Sequence, residues 1–170
     1  KPGDCPICGM ELVATKPSDS AEEKTYQDLL QKLKLSIAFT LPVFIIAMGE
    51  MIPGNPLPGL MKPDYWNWLQ LLLTLPIVFY TCRMFFVRAW HSIVSMNLNM
   101  FTLVGIGTGV AFAFSVMGLL FPEIFPDEFR THTGSVHLYF EATTVILTLV
   151  LLGQLLEARA HSQTSGAIKA

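Results

Sequence analysis

Two cysteines in KPGDCPICGMEL, Cys5 and Cys8, form a C-x-x-C, with Gly9 turning the chain and Met10 supplying a thioether. Two thiolates at this spacing can hold one metal on a tight loop, and thiolate with thioether suits a soft ion such as Cu(I). Half of a zinc ribbon is the alternative reading, but it needs two further ligands that this sequence does not show. A redox C-x-x-C belongs at the start of a helix in a βαβ setting, and none is visible.

The second group of reactive residues lies in apolar surroundings. EATTVILTLVLLGQLLE carries a carboxylate at each end, Glu141 and Glu157, with Arg159 just beyond. Their separation of 16 residues (157 − 141) spans roughly 24 Å of helix and leaves them about half a turn apart. They cannot share a proton or a metal, so they must serve different depths. An ionisable residue inside a membrane is a functional candidate by default, and the bland alternative is snorkelling to the nearest interface. Glu157, beside Arg159, could do that more easily. Met100 opens another uncharged run. A thioether beside a carboxylate would make a mouth for a soft cation, with sulfur recognising the ion and the carboxylate attracting its charge.

The elements that must position these residues follow from composition. The chain has 170 residues, 52% hydrophobic and only 14% charged, a balance unusual for a soluble domain of this size. Four apolar segments stand out, at 35–52, 66–82, 100–121 and 138–156. Each is long enough to cross, or nearly cross, a hydrocarbon core of about 30 Å. The expected fold is therefore an all-α membrane protein with four transmembrane helices, preceded by a short Cys-containing metal-binding loop. If the spans alternate, Lys1, Lys16, Lys24, Lys32, Lys34, Arg83, Arg88, Arg159 and Lys169 share one side, and Lys62 and Arg130 the other. That asymmetry makes both termini cytoplasmic. It also puts Met100 and Glu157 at the same cytoplasmic depth on antiparallel helices, with Glu141 near the opposite face. Trp66, Trp68 and Tyr139 suit an outer aromatic belt and Trp90 an inner one.

Further details bear on packing. Gly105, Gly109 and Ala113 recur every four residues and would let another helix approach closely. Pro42 and Pro76 lie inside spans, where kinks are expected. RMFFVRAWHSIVSMN alternates basic and aromatic residues and reads as a helix along the inner surface. Met48, Glu50 and Met51 could receive an ion leaving the membrane, although interfacial filling explains them as well. Cys82 is expected to be packing. His91, His132, His137 and His161 show no ligand spacing to one another and are read as non-ligands. The three cysteines are too few and scattered for a disulfide framework. The first 34 residues are polar, with no secretory signal, and residues 14–28 read as a linker. The sequence looks like a segment of something longer.

These residues resemble the heavy-metal-transporting P-type ATPases, specifically the Cu(I)-exporting branch. The matching stretches are LNMFTLVGIGTGVAF, YFEATTVILTLVLLGQLLEARA and TSGAIKA, within a resemblance covering about residues 35–170. PGDCPICGMEL is similar to the second half of a small heavy-metal-binding domain often fused to such pumps. The resemblance implies two class-specific helices followed by the first two helices of the P-type core. It implies an intake site formed by Met100 and Glu157, completed by a carboxylate on a later helix, and a release role for Glu141. It also implies that the helix from Arg83 forms a platform for a soluble copper chaperone. One departure concerns that platform: Thr81-Cys82 stands where the family often has two glycines that kink the second helix.

On this reading residues 1–13 are a partial heavy-metal-binding domain and 14–34 a linker. Residues 35–66 hold the first transmembrane helix and outer loop, and 67–99 the second helix and platform. Residues 100–136 hold the third helix and outer loop, and 137–170 the fourth helix and the start of a cytoplasmic segment leading to the actuator domain. The 170 residues contain no DKTGT, TGE or intramembrane CPC motif. The phosphorylated aspartate, the nucleotide domain and the high-affinity transport site are thus expected elsewhere in a parent protein, which would use ATP and Mg. The expected function is the membrane part of an ATP-driven Cu(I) efflux pump in the bacterial inner membrane, with Ag(I) as a second cargo. Cys5, Cys8 and Met10 would bind metal in a regulatory or delivery role. Expected partners are the copper ion, the lipid bilayer and the chaperone, with no nucleic acid. Two rivals are a Zn(II)/Cd(II) pump and a non-catalytic four-helix membrane protein that binds metal.

Overall fold

A computed structural model describes residues 3–4, 11–12, 19–51, 63–129 and 136–169, with side chains described over 23–49, 65–126, 128–129 and 136–160. Two short strands, β1 (Gly3–Asp4) and β2 (Glu11–Leu12), pair antiparallel, Gly3 with Leu12 and Asp4 with Glu11. The remaining elements are helical: α1 Asp19–Met51, α2 Pro63–Pro76, a π-helical turn Ile77–Thr81, α3 Arg83–Val94, α4 Met100–Leu120 and α5 Phe140–Lys169. Two 3-10 turns, Pro122–Ile124 and Asp127–Phe129, follow α4.

Three of these helices contain stretches long and apolar enough to cross a membrane: Glu23–Gly49, Met100–Leu120 and Phe140–Ala160. A fourth crossing arises if Tyr65–Thr81 and Arg83–Val94, bent by 60° from one another, are taken as one span. The third apolar run thus becomes a single helix close to its expected limits, the fourth a single helix that runs on to Lys169, past its expected end, and the second a broken one. Pro76 ends the regular α-helix, and the bend itself follows the π turn, at Cys82. Proline lacks the N–H that would continue the ladder and crowds the preceding turn. Beyond it the chain widens into a π turn, closed by a 2.8 Å bond from Cys82 N–H to the Ile77 carbonyl. The bend therefore forms without the paired glycines. α1, by contrast, continues through Pro42.

α1 also starts earlier than the apolar run suggests. Residues expected to be linker are helical from Asp19 onward. Tyr26, Leu29, Leu30 and Leu33 recur at helical spacing and pack on the core, with Leu29 and Leu33 buried. Lys32 pairs with Asp28 at 2.7 Å one turn away, which adds a few tenths of a kcal/mol. The core they join contains Ile77, Val78, Cys82, Phe85, Phe101, Leu147, Leu151 and Leu155. Cys82 is fully buried there, in keeping with a packing role.

α1 packs most extensively on α5, and α3 on α4, while α4 also contacts α5. The α1–α5 contact contains a hydroxyl cluster: Thr148 Oγ1 lies 2.6 Å from Ser36 Oγ and 2.8 Å from Thr40 Oγ1. The α3–α4 contact depends on Gly105, where an added Cβ would sit 2.5 Å from the Ala89 Cβ. Gly109 faces Phe86 in the same seam. The small residues of α4 therefore admit the platform helix. Phe85 and Phe101 stack at 5.9 Å, and the Arg88 guanidinium lies over the Phe101 ring at 5.3 Å. At the far end of α4, Ser115 Oγ accepts a 2.7 Å hydrogen bond from Tyr139 N–H, Gly118 touches Val136 and Leu138, and Phe112 meets Phe140.

Candidate functional site

Met100 is the first residue of α4, and its position follows from the cap before it. Asn99 Oδ1 accepts hydrogen bonds from Phe101 N–H at 3.0 Å and Thr102 N–H at 3.2 Å, while Asn99 N–H donates to Thr102 Oγ1 at 3.2 Å. This reciprocal box satisfies amide groups left open at a helix start. Met100 itself is 54% exposed.

Glu157 lies two residues past Leu155, the last leucine of the buried stripe on α5 (Leu147, Leu151, Leu155). It is exposed, and its Oε2 accepts a 3.0 Å hydrogen bond from Gln154 Nε2. The Ser115–Tyr139 bond fixes one end of the antiparallel α4–α5 pair, and Phe101 and Leu155 meet in one core cluster near the other. Counting from that bond, Met100 lies 15 residues back along α4 and Glu157 18 residues on along α5. At about 1.5 Å per residue these are roughly 22 and 27 Å, so both side chains reach the same end of the bundle within about one turn. The buried start of α1, through Leu29 and Leu33, buttresses that end.

Glu141 occupies the first turn of α5 at the opposite end, half-buried beside the fully buried Phe140, Thr143 and Thr144. Its separation from Glu157 is a length of continuous helix, so the two carboxylates address different depths. Among the described residues no three His, Cys, Asp or Glu side chains converge on a metal-sized site. Met100 and Glu157 are thus two exposed side chains at one end of the α4–α5 pair.

Cys5, Cys8 and Met10 lie outside the described residues, between the two strands in sequence. The side chains of Glu50 and Met51 also lie outside them. Met48, His91 and His137 are exposed. Of the two arginines on the platform helix, Arg83 is exposed, whereas Arg88 is committed to Phe101.

Sequence reasoning missed the buried polar groups. Asn67, Gln70 and Thr74 form one buried stripe on α2, with Thr74 Oγ1 donating to the Gln70 carbonyl at 2.7 Å. Ser36 and Thr40 do the same on α1 toward Thr148, and Ser92 and Thr102 meet between α3 and α4 at 2.7 Å. On α1 and α2 their i, i+3 and i, i+4 spacing placed them on one face, but nothing in the sequence showed that the face was buried or paired Ser92 with Thr102.

Comparison with known proteins places these features in a lineage. A family model described as a heavy metal binding domain matches residues 1–15. The chain is 47% identical to a silver exporting P-type ATPase of Salmonella typhimurium, over 99% of this chain and 20% of that protein. It is 42% identical to a copper-exporting P-type ATPase of Legionella pneumophila, over 99% of this chain and 23% of that protein. It is 41% identical to a copper-transporting P-type ATPase of Rhizobium leguminosarum bv. viciae, over 100% of this chain and 20% of that protein. The chain spans about a fifth of the length of these relatives. Along essentially all of its residues it belongs to the heavy-metal-transporting P-type ATPases.

Proposed function

We propose that this chain is the membrane part of an ATP-driven Cu(I) efflux pump, with Ag(I) as a second cargo, and that it supplies the residues for ion intake and release. Met100 and Glu157 form the intake mouth on the cytoplasmic side. Met100 offers a soft thioether that selects a monovalent soft cation, and Glu157 offers charge that draws the cation in. Glu141, near the outer face, helps detach the ion. The parent protein supplies ATP hydrolysis with Mg, the phosphorylated aspartate and the ligands that hold the ion at the membrane centre. Cys5, Cys8 and Met10 bind metal ahead of the membrane. A soluble copper chaperone delivers cargo against the exposed face of α3, which carries Arg83 and Trp90. Both termini face the cytoplasm of a bacterial inner membrane.

The observation that carries this reading is the shared end of α4 and α5 reached by Met100 and Glu157. The names of the relatives favour copper and silver as cargo. The test is uptake into everted membrane vesicles containing the full-length protein. ATP-dependent accumulation of Cu(I), supplied free and supplied on a soluble chaperone, is expected, with no accumulation of Zn(II). Zinc uptake without copper uptake would refute the cargo, and copper uptake only in right-side-out vesicles energised from within would refute the orientation.

A further inference from the structure

The turn between α3 and α4 is built around a side chain that no metal would touch. α3 ends in a Schellman motif: Asn97 N–H donates to the Ser92 carbonyl and Met96 N–H to the Ile93 carbonyl, both at 3.1 Å. The left-handed position that closes such a motif is normally glycine. Here it is Met96, at φ 55°. A left-handed non-glycine residue costs on the order of 1 kcal/mol and persists only when its surroundings over-determine it.

Ser92 provides that surrounding. Besides its backbone bond, its Oγ donates to the Asn97 carbonyl and accepts from Thr102 Oγ1 at 2.7 Å. Thr102 Oγ1 in turn accepts from Asn99 N–H. Asn97 Nδ2 donates to the Ser95 carbonyl at 3.0 Å. The result is a directional chain, Asn99 N–H to Thr102 O–H to Ser92 O–H to Asn97 C=O, with each hydroxyl both donating and accepting. Ser92 is 2% exposed and Thr102 4%. Met100 lies inside the loop that this chain closes. It follows the cap residue Asn99 and precedes Thr102 by two positions, yet its own side chain is exposed.

We infer that Ser92 and Thr102 are positioning residues for the intake mouth: their buried hydroxyl pair fixes the α3–α4 turn and so holds the Met100 thioether in the conformation that receives the ion. This rests on the proposed intake role of Met100. The physical argument is one of populations. Without the chain of hydroxyls the strained turn and the first turn of α4 sample other conformations. Apparent affinity then falls by the fraction of time Met100 is correctly placed. The gripping and phosphorylating machinery is elsewhere, so the maximal rate should be spared. The same connection makes the seating of α3 against α4, set by Ala89 on Gly105 and by the Phe85–Phe101 stack, part of what defines the mouth.

The experiment measures Cu(I)-stimulated ATP hydrolysis by the full-length pump across a Cu(I) titration. Thr102→Val and Ser92→Ala are each expected to raise the half-saturating Cu(I) concentration roughly 3- to 10-fold, the size expected for loss of a cap or one buried hydrogen bond. The maximal rate should stay within about twofold. Thr102→Ser, which keeps the hydroxyl, should restore the wild-type value. Thr108→Val removes an equally buried hydroxyl of α4, one that donates to the Val104 carbonyl at 2.6 Å outside this network, and should leave half-saturation unchanged. In a Met100→Leu background the added effect of Thr102→Val should vanish, because both act through one thioether. If Thr102→Val fails to fold, Ser92→Ala, which leaves the Asn99 cap intact, carries the same cycle. A shift with Met100→Leu but none with Ser92→Ala and Thr102→Val overturns the inference and leaves the intake reading standing. Additive shifts in the double variant also overturn it. No shift with Met100→Leu overturns the intake reading and the inference together.

Discussion

At the scale of the residue, the proposed mouth lies where one apolar helix starts and the buried leucine stripe of another stops. Met100 begins one helix and Glu157 follows the last buried leucine of another, so both side chains are exposed while their neighbours Phe101 and Leu155 are buried. Abrupt ends of that kind are legible in a sequence. The buried hydroxyls were not, because serine and threonine can bond to a carbonyl of their own helix and sit in an apolar run without disturbing it. Which of them bond across helices depends on the packing. Thr148 is the case with the clearest consequence, since Ser36 and Thr40 both converge on it from α1. Thr148→Val leaves those two without their cross-helix partner. We expect a loss of about 0.6–2 kcal/mol in the unfolding free energy of the detergent-solubilised protein, and near-wild-type stability for Thr148→Ser. An unchanged unfolding free energy for the valine variant would remove the cluster from the account of how α1 is held.

Among the elements, the α3–α4 seam is the tightest constraint. Gly105 is there because a methyl group has no room: its Cβ would approach the Ala89 Cβ to 2.5 Å. Gly107, two residues along the same helix, has nothing within 4 Å of an added Cβ. The pair gives a controlled comparison in thermal unfolding. Gly105→Ala should cost on the order of 1–3 kcal/mol by forcing the helices apart. Gly107→Ala should be neutral or gain up to about 1 kcal/mol from helix propensity. Equal effects at the two positions would contradict the seam as described. The glycine spacing pointed to close packing, but only the structure identifies α3 as the helix admitted. Similarly, Pro76 marked an interruption, while the π turn and the 60° bend depend on how α3 must lie to reach α4. The turn at Met96 carried no sequence signal at all, because glycine or asparagine would ordinarily announce it. The helical start of α1 was masked by its charges, although Leu29 and Leu33 kept the 3.6-residue rhythm beneath them.

For the molecule as a whole, the arrangement separates the two proposed tasks along α5. One end carries Glu157, at the end of the bundle that Met100 also reaches. The other end, at Glu141, is tied to α4 through Ser115 and Tyr139 and lies roughly 24 Å along the helix. If both carboxylates handle the ion as proposed, they can do so only in succession. Large apolar faces remain exposed on the same helices, including Leu103, Ile106 and Val110 of α4 and Ile146, Leu149 and Leu156 of α5. They are surfaces that lipid or the remainder of a larger membrane domain would cover, consistent with a chain spanning about a fifth of its relatives. The division between intake and release is the central claim, and a Cu(I) titration of ATP hydrolysis by the full-length protein tests it most directly. Glu157→Gln is expected to raise the half-saturating Cu(I) concentration, while Glu141→Gln lowers the maximal rate and leaves half-saturation where it was. Titration curves for Glu157→Gln that superimpose on wild type, or an exchange of the two phenotypes between the two carboxylates, would contradict it.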